Sequence, residues 1–378
     1  MKFVIAPDSF KGSLTAAQVG AVIVRAIRKE LPEAEATVVP MADGGEGTVA
    51  ALVQATGGTL IEHQVSGPEG EPRTACYGEI GGGKTLSAVL EAASIFGLPL
   101  LPPERRNPLQ TTSRGLGELM RALLDKGCRQ FIVGLGGSST NDGGIGMLSA
   151  LGARFTDGAG KPLEGFGRDL TKLRYVDLAG LDPRLKDSRI TVACDVTNPL
   201  LGPQGASHIF GPQKGASPEQ VALLDESMAR YAVLMEAALS LRLRERQGAG
   251  AAGGLGFAFM AIGADMVPGA QVVEQLTGLK QQIAQADWVI TGEGRSDEQT
   301  VFGKLPWYVA QWANEAGKPA ILISGSLGAD IEALYDRFAA CFSTVPRPST
   351  LEACMEEAER NLEQCARNVI RMIARSQG

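Results

Sequence analysis

Only two histidines, His63 and His208, occur among the 378 residues of this chain. His63 lies in an alternating, β-prone stretch and reads as structural. That leaves His208 as the sole base for a nucleophile–histidine triad, and no G-x-S-x-G elbow accompanies it, which disfavours hydrolase chemistry of that type. The six cysteines are scattered, with no C-x-x-C pair, so no zinc site is expected and the thiols read as reduced and structural. Positive charge is not in excess: 36 basic against 42 acidic residues give a net charge of −6, which argues against a nucleic-acid surface. No apolar run reaches the ~18–20 residues of a membrane span. Met1-Lys2 leads straight into a short apolar run and a polar loop, so no leader peptide is expected. These absences together predict a soluble, cytoplasmic protein.

Glycine is what the chain has in abundance. Its 48 glycines are nearly twice the usual share of about 7%. Many fall in five loops that also carry acids: APDSFKGS (6–13), PMADGGEGT (40–48), GLGGSSTNDGG (134–144), CDVTNP (194–199) and TGEGRSDEQT (291–300). Each follows a short apolar run. A strand that ends in Gly, Ser, Thr and carboxylate is how an open α/β sheet builds a site at its carboxyl edge. Phosphate-friendly glycines beside metal-friendly carboxylates point to phosphoryl transfer.

A chain of this length favours two domains over one. The start reads βαβα: a strand at 2–6, a helix opened by the Thr15/Gln18 capping box and running to about residue 29, a strand at 36–41, and a helix from 47 to 55. From residue 59 the texture changes to alternating β-prone segments (59–65, 73–80, 85–92), followed by an amphipathic helix around 116–124 and a strand at 131–133. Ser217-Pro218-Glu219-Gln220 combines an N-cap, Pro at N1 and a capping-box Gln, so a long helix to about residue 244 is expected. The last hundred residues return to βαβ texture, with helices predicted at 305–316 and 351–374. We therefore expect an α/β protein: a discontinuous flavodoxin-like or Rossmann-like parallel-sheet domain (1–64 plus 283–378) with an inserted mixed-sheet α/β domain (65–282). The loops at 6–13, 40–48 and 291–300 fall in the first and those at 134–144 and 194–199 in the second, which places the active site in the cleft between them. The amphipathic helix at 351–374 can pack on its own sheet or on a second copy in a homodimer.

Two motifs fit named patterns but not their context. Gly78–Thr85 matches G-x-x-x-x-G-K-[ST], the mark of a P-loop NTPase, yet it lies between two β-prone runs and reads as a hairpin turn. Gly248–Gly253 matches G-x-G-x-x-G, but it follows a helix, whereas that fingerprint needs a strand–turn–helix. It reads as a loop for close backbone approach or for tight packing.

Phosphoryl transfer needs positioning and charge neutralisation more than covalent chemistry. Gly136, Gly137, Ser138, Ser139, Thr140 and Asn141 are the candidates for ATP phosphates, since small residues expose amides and the three hydroxyls add donors. Asp43 and Asp297 are the candidates for Mg²⁺, a hard ion that takes few carboxylates. Lys11 and Arg295, with Asp8 and Ser9 beside Lys11, are the candidates for a substrate carboxylate or the transferring phosphate. Asp195 ends an apolar strand and is the candidate for orienting or deprotonating the attacking hydroxyl.

In these residues the chain closely resembles the bacterial glycerate kinases of the type that forms 2-phosphoglycerate. The matches are APDSFKGSL, PMADGGEGT, GLGGS-TNDGG, IFGPQKGA, GAAGGLG and TGEGR-D-QT-FGK, in order, and the resemblance runs from residue 3 to at least residue 324. Two positions depart from the family's pattern: Ser139, where Ala is more usual, and Ser296, where an apolar residue is commoner. The resemblance implies ATP-dependent phosphorylation of D-glycerate with Mg²⁺, on the split two-domain fold inferred above. A P-loop NTPase built on Gly78–Thr85 and a non-catalytic sugar-acid sensor are the rival readings. No nucleic-acid or membrane partner is implied.

Overall fold

The computed structural model describes residues 1–81 and 86–376, so part of the Gly78–Thr85 motif lies outside the described residues. The contacts divide the chain into two units. One comprises residues 1–43, 54–56 and 269–378, the other residues 44–53 and 57–268. Two large sheets take their strands in this chain order: β1 (Lys2–Ile5), β2 (Glu35–Val38), β3 (Thr59–Ser66), β4 (Pro72–Ile80), β5 (Ser87–Glu91), β6 (Gln130–Gly134), β7 (Arg189–Ala193), β8 (Asp265–Val267), β9 (Trp288–Thr291), β10 (Ala320–Ser324) and β11 (Ala340–Ser343).

The first unit holds a five-stranded sheet in the order β11-β10-β9-β1-β2, parallel throughout. Renumbered within the unit this is 2-1-3-4-5, the order of a doubly wound flavodoxin-like sheet. Helix α1 (Ala16–Glu30) starts where expected: Thr15 accepts from the Gln18 amide at 3.2 Å, and Gln18 returns to the Thr15 amide at 2.9 Å. Its buried stripe of Val19, Val22, Ile23, Ala26 and Ile27 meets Leu362, Ala366, Val369, Ile370 and Ile373 of the last helix (Ala358–Ser376). That last helix therefore spends its apolar face on its own unit. The single helix predicted over 351–374 is instead two, Leu351–Glu356 and Ala358–Ser376. Leu351 and Met355 of the first stay exposed, whereas Ala358 onward is drawn onto α1.

The second unit holds a six-stranded mixed sheet in the order β8-β7-β6-β5-β4-β3. β3 pairs with β4 and β4 with β5 antiparallel, and β5 through β8 are parallel. The P-loop look-alike thus connects antiparallel strands, with Gly78 opposite Val89 and Ile80 opposite Ser87. A Walker A loop needs a strand followed by a helix. The long helix (Pro218–Leu239) opens with the Ser217/Gln220 capping box and stops five residues short of the expected end, at Ser240 in the left-handed region. Beyond it the Glu236 carboxylate accepts from the amides of Leu243 and Arg244, which folds the chain back on the helix end. Among the described residues no helix is long and apolar enough to cross a membrane.

Burial rather than surface charge holds the last helix in place. Ile370 is fully buried, and Ile370→Ala should cost about 2–5 kcal/mol. Arg25 meets Glu359 at 2.6 Å on an exposed rim, where such pairs contribute about 0–1 kcal/mol. Urea unfolding of Ile370→Ala and Glu359→Gln should show that ranking, and equal losses would contradict it.

Candidate active site

In an open parallel sheet the ligand crevice lies outside the carboxyl ends of the strands, where successive connections leave in opposite directions. In the first unit that point is between β1 and β9. From β1 the chain passes to β2 on one side, and it returns as β9 on the other. Backbone bonds tie the two exits together: the Ala6 amide donates to Ile290 O, the Asp8 amide to Gly292 O, and the Thr291 hydroxyl to Ala6 O, all within 2.7–2.8 Å. Gly294 packs so closely that a Cβ there would stand 3.3 Å from the Lys11 amide nitrogen.

This crevice collects most of the charged residues singled out in the sequence. Lys11 meets Asp43 at 2.8 Å. Asp8 sits beside them, half-buried, and its own carboxylate accepts from the Ser9 amide at 2.6 Å. Burial first, and then the neighbouring Asp43 charge, push the Asp8 carboxyl up to about 7. Against the pull of burial, Asp43, Asp8 and Glu293 hold the Lys11 ammonium above its ordinary value. Across the crevice Asp297 lies 3.4 Å from Arg295 and 3.6 Å from Lys304. Glu293 is buried and accepts from the Ser296 and Thr300 hydroxyls at 2.9 and 2.8 Å, with Lys304 at 3.6 Å. Burial raises its pKa even so.

Glu293 and Lys304 are participants absent from the candidates named from the sequence. The signal was present in Glu293, Ser296, Thr300 and Lys304, which a short 3₁₀ turn (Glu298–Phe302) folds back on one carboxylate. Ser296 is also explained: its hydroxyl joins Glu293 to Ser324 at 2.7 Å.

The remaining candidates lie in the second unit, at the carboxyl ends of the adjacent strands β6 and β7. Asp195 is exposed just past β7. In the 136–144 loop only Gly136 and Gly137 reach solvent appreciably, whereas Ser138, Ser139, Thr140 and Asn141 are buried. The Ser139 hydroxyl and amide both donate to Phe96 O. The Asn141 amide donates to the Ser207 hydroxyl at 2.9 Å. The amides after the loop are answered from within, since the fully buried Asp142 carboxylate accepts from Gly144, Gly146 and Ser113. Likewise the Glu91 carboxylate accepts from the Val49 amide at the start of the helix that follows the 40–48 loop. Anion binding through either helix start is thereby pre-empted by a resident carboxylate. The Gly248–Gly253 loop serves packing: Gly253 has φ +70°, and a Cβ there would lie 2.1 Å from Thr140 O.

The comparisons with known proteins agree with one another. The model of the glycerate kinase family matches residues 3–374. The glycerate kinase of Bacillus subtilis is 46% identical over 98% of this chain and 97% of its own length. The glycerate 2-kinase of Escherichia coli is 46% identical over 99% of this chain and 98% of its own. A crystal structure from Salmonella typhimurium LT2, assigned to glycerate kinase 2, superposes with a TM-score of 0.89 at 46% identity, covering 100% of this chain and 99% of that one. This chain belongs to the glycerate kinase family.

Proposed function

We propose that this chain transfers the γ-phosphoryl group of ATP to the 2-hydroxyl of D-glycerate, giving 2-phosphoglycerate and ADP. The relatives named glycerate kinase support the substrate, and the one named glycerate 2-kinase supports the position. The observation that carries the reading is the crowding of Asp8, Asp43 and Glu293 around Lys11 at the switch point. Lys11 and Arg295, both largely exposed at their tips, are suited to the glycerate carboxylate or the transferring phosphate. Asp8 is the better-supported base. Its pKa of about 7 matches the ideal for a base working near neutral pH, whereas the sequence reading placed that role on Asp195. In the transfer a bond forms from the glycerate oxygen to Pγ, the bridge to the β-phosphate breaks, and the hydroxyl proton passes to Asp8. Gly136 and Gly137 form the accessible edge of the loop assigned to the phosphates, with Ser138, Ser139, Thr140 and Asn141 buried behind it.

The acidic crevice fits Mg²⁺. The Asp8 and Asp43 carboxylates repel each other, and a divalent cation relieves that repulsion. Mg²⁺ is an ion that takes one or two carboxylates plus waters and phosphate oxygens. Asp43 would hold it. Asp297, already met by Arg295 and Lys304, is the second candidate. When bound, the ion neutralises charge on the phosphate oxygens.

Neither rival is favoured. The P-loop reading lacks a strand–loop–helix, and a mere sensor has no need of a base poised near 7.

ADP release should depend on D-glycerate, and phosphorus NMR should show a phosphate on the 2-position. A 3-phosphorylated product would overturn the regiochemistry, and no turnover with glycerate would overturn the function. A second outcome concerns stability. The folded state keeps the Asp8 proton up to about 7, whereas the unfolded chain releases it near pH 4. The stability this group contributes is complete below pH ~4 and is lost as pH rises through ~7, on the order of 4 kcal/mol. Asp8→Asn should therefore raise Tm relative to the wild type at pH 8 but not at pH 4. An equal change at both pH values would contradict the assignment.

A further inference from the structure

Lys214 is the one lysine among the described residues that the fold buries this deeply, with 2% of its surface exposed. It ends a short 3₁₀ turn (Pro212–Lys214), and Gly215 follows with φ +90°. A Cβ on Gly215 would lie 2.1 Å from Arg106 O, so the backbone needs glycine there to bring Lys214 inward. Inside, the Lys214 Nζ donates to Thr140 O at 2.7 Å and to Ser138 Oγ at 3.1 Å. Both partners belong to the loop assigned above to the phosphates.

We propose that Lys214 is a positioning residue for ATP binding: it pins Thr140 through the backbone and turns the Ser138 hydroxyl so that its hydrogen is presented to a phosphate oxygen. The inference rests on the reading of residues 136–141 as the phosphate loop. The hydroxyl that accepts from Lys214 keeps its own hydrogen for donation, and no protein acceptor for it is found among the described residues. Two more polar atoms of this loop, Thr140 Oγ1 and Asn141 Oδ1, are buried without a protein partner. A loop with this much unspent hydrogen-bonding capacity, braced by a buried ammonium, is organised for a polar ligand or ordered water rather than for its own stability.

The state of the ammonium adds a handle. Burial pushes the Lys214 pKa down to about 7, with the nearby Asp142 charge opposing. An amine has two hydrogens and an ammonium three. Two acceptors satisfy the neutral form, so the free protein loses the third proton readily. An approaching polyanion favours the charged form and restores it.

The test is steady-state kinetics at saturating D-glycerate with ATP varied, for the wild type, Lys214→Met, Ser138→Ala and the double variant. We expect kcat/KM for ATP to fall about 10–100-fold in Lys214→Met, with the KM for D-glycerate within twofold of wild type. In the wild type, kcat/KM for ATP should decline as pH rises above ~7, and Lys214→Met should lack that decline. The double variant should be no worse than the poorer single one, because both changes break one contact chain. Additive losses, or a folded Lys214→Met with unchanged ATP kinetics and pH profile, would overturn the proposal. If Lys214→Met does not fold, Ser138→Ala alone decides: an unchanged kcat/KM for ATP overturns it. Gly137→Asp against Gly137→Asn separates this from failure of the loop reading. Both residues tolerate the left-handed backbone of Gly137 (φ +74°), and only Asp adds a charge at the exposed edge. If Asp weakens ATP binding more than Asn while Lys214→Met does not, the loop reading stands and the role of Lys214 falls. If neither variant matters, the loop reading itself falls and the inference falls with it.

Discussion

Like charges in a half-buried crevice must be met by cations, protons or metal, because the protein interior cannot screen them. Asp8, Asp43 and Glu293 impose that constraint on the first unit. The structure meets it in three ways. Lys11 pairs with Asp43, Lys304 lies beside both Glu293 and Asp297, and Asp8 holds its proton to about 7. A crevice with its charge balanced this way accepts a cation, an anion bound through Lys11 and Arg295, or a proton from a hydroxyl. Phosphoryl transfer to a hydroxy acid asks for all three.

The second unit answers a different constraint. Its glycines let loops approach closely, and close approach leaves backbone amides needing acceptors. Asp142 and Glu91, both buried carboxylates, take those amides at two helix starts. They are structural acids in places where a sequence pattern of glycine before a helix suggests an anion site. What the 136–141 loop has left to offer is therefore its exposed glycine edge and the hydroxyls not already committed to the protein.

Much of this was legible in the residues. The Thr15/Gln18 and Ser217/Gln220 boxes mark real helix starts, because capping depends on side chains three residues apart. The parallel core of the first unit follows from short apolar runs each ending in a Gly-and-acid loop. The P-loop look-alike read correctly as a link between β-strands, since its flanks lacked a helix. What stayed hidden depends on contacts distant in sequence. Ser139 looked like a phosphate donor until Phe96 O, 43 residues away, claimed its hydroxyl. Lys214 is absent from the candidates named from the sequence, because only the fold reveals that Gly215 turns it inward onto Thr140. The end of the long helix was overestimated because Glu236 caps the returning chain, which no local pattern announces.

The central claim is that the carboxylate crowded at the switch point is the base. The most direct measurement is the pH dependence of kcat/KM for D-glycerate, at saturating ATP and Mg²⁺, in the wild type and in Asp8→Asn. The account predicts that the wild-type value rises with pH to a plateau above a single ionisation, that of the Asp8 carboxyl. Asp8→Asn should lose that ionisation and ~10²–10⁴-fold in rate. A folded Asp8→Asn enzyme that keeps both the ionisation and near-normal turnover would contradict it.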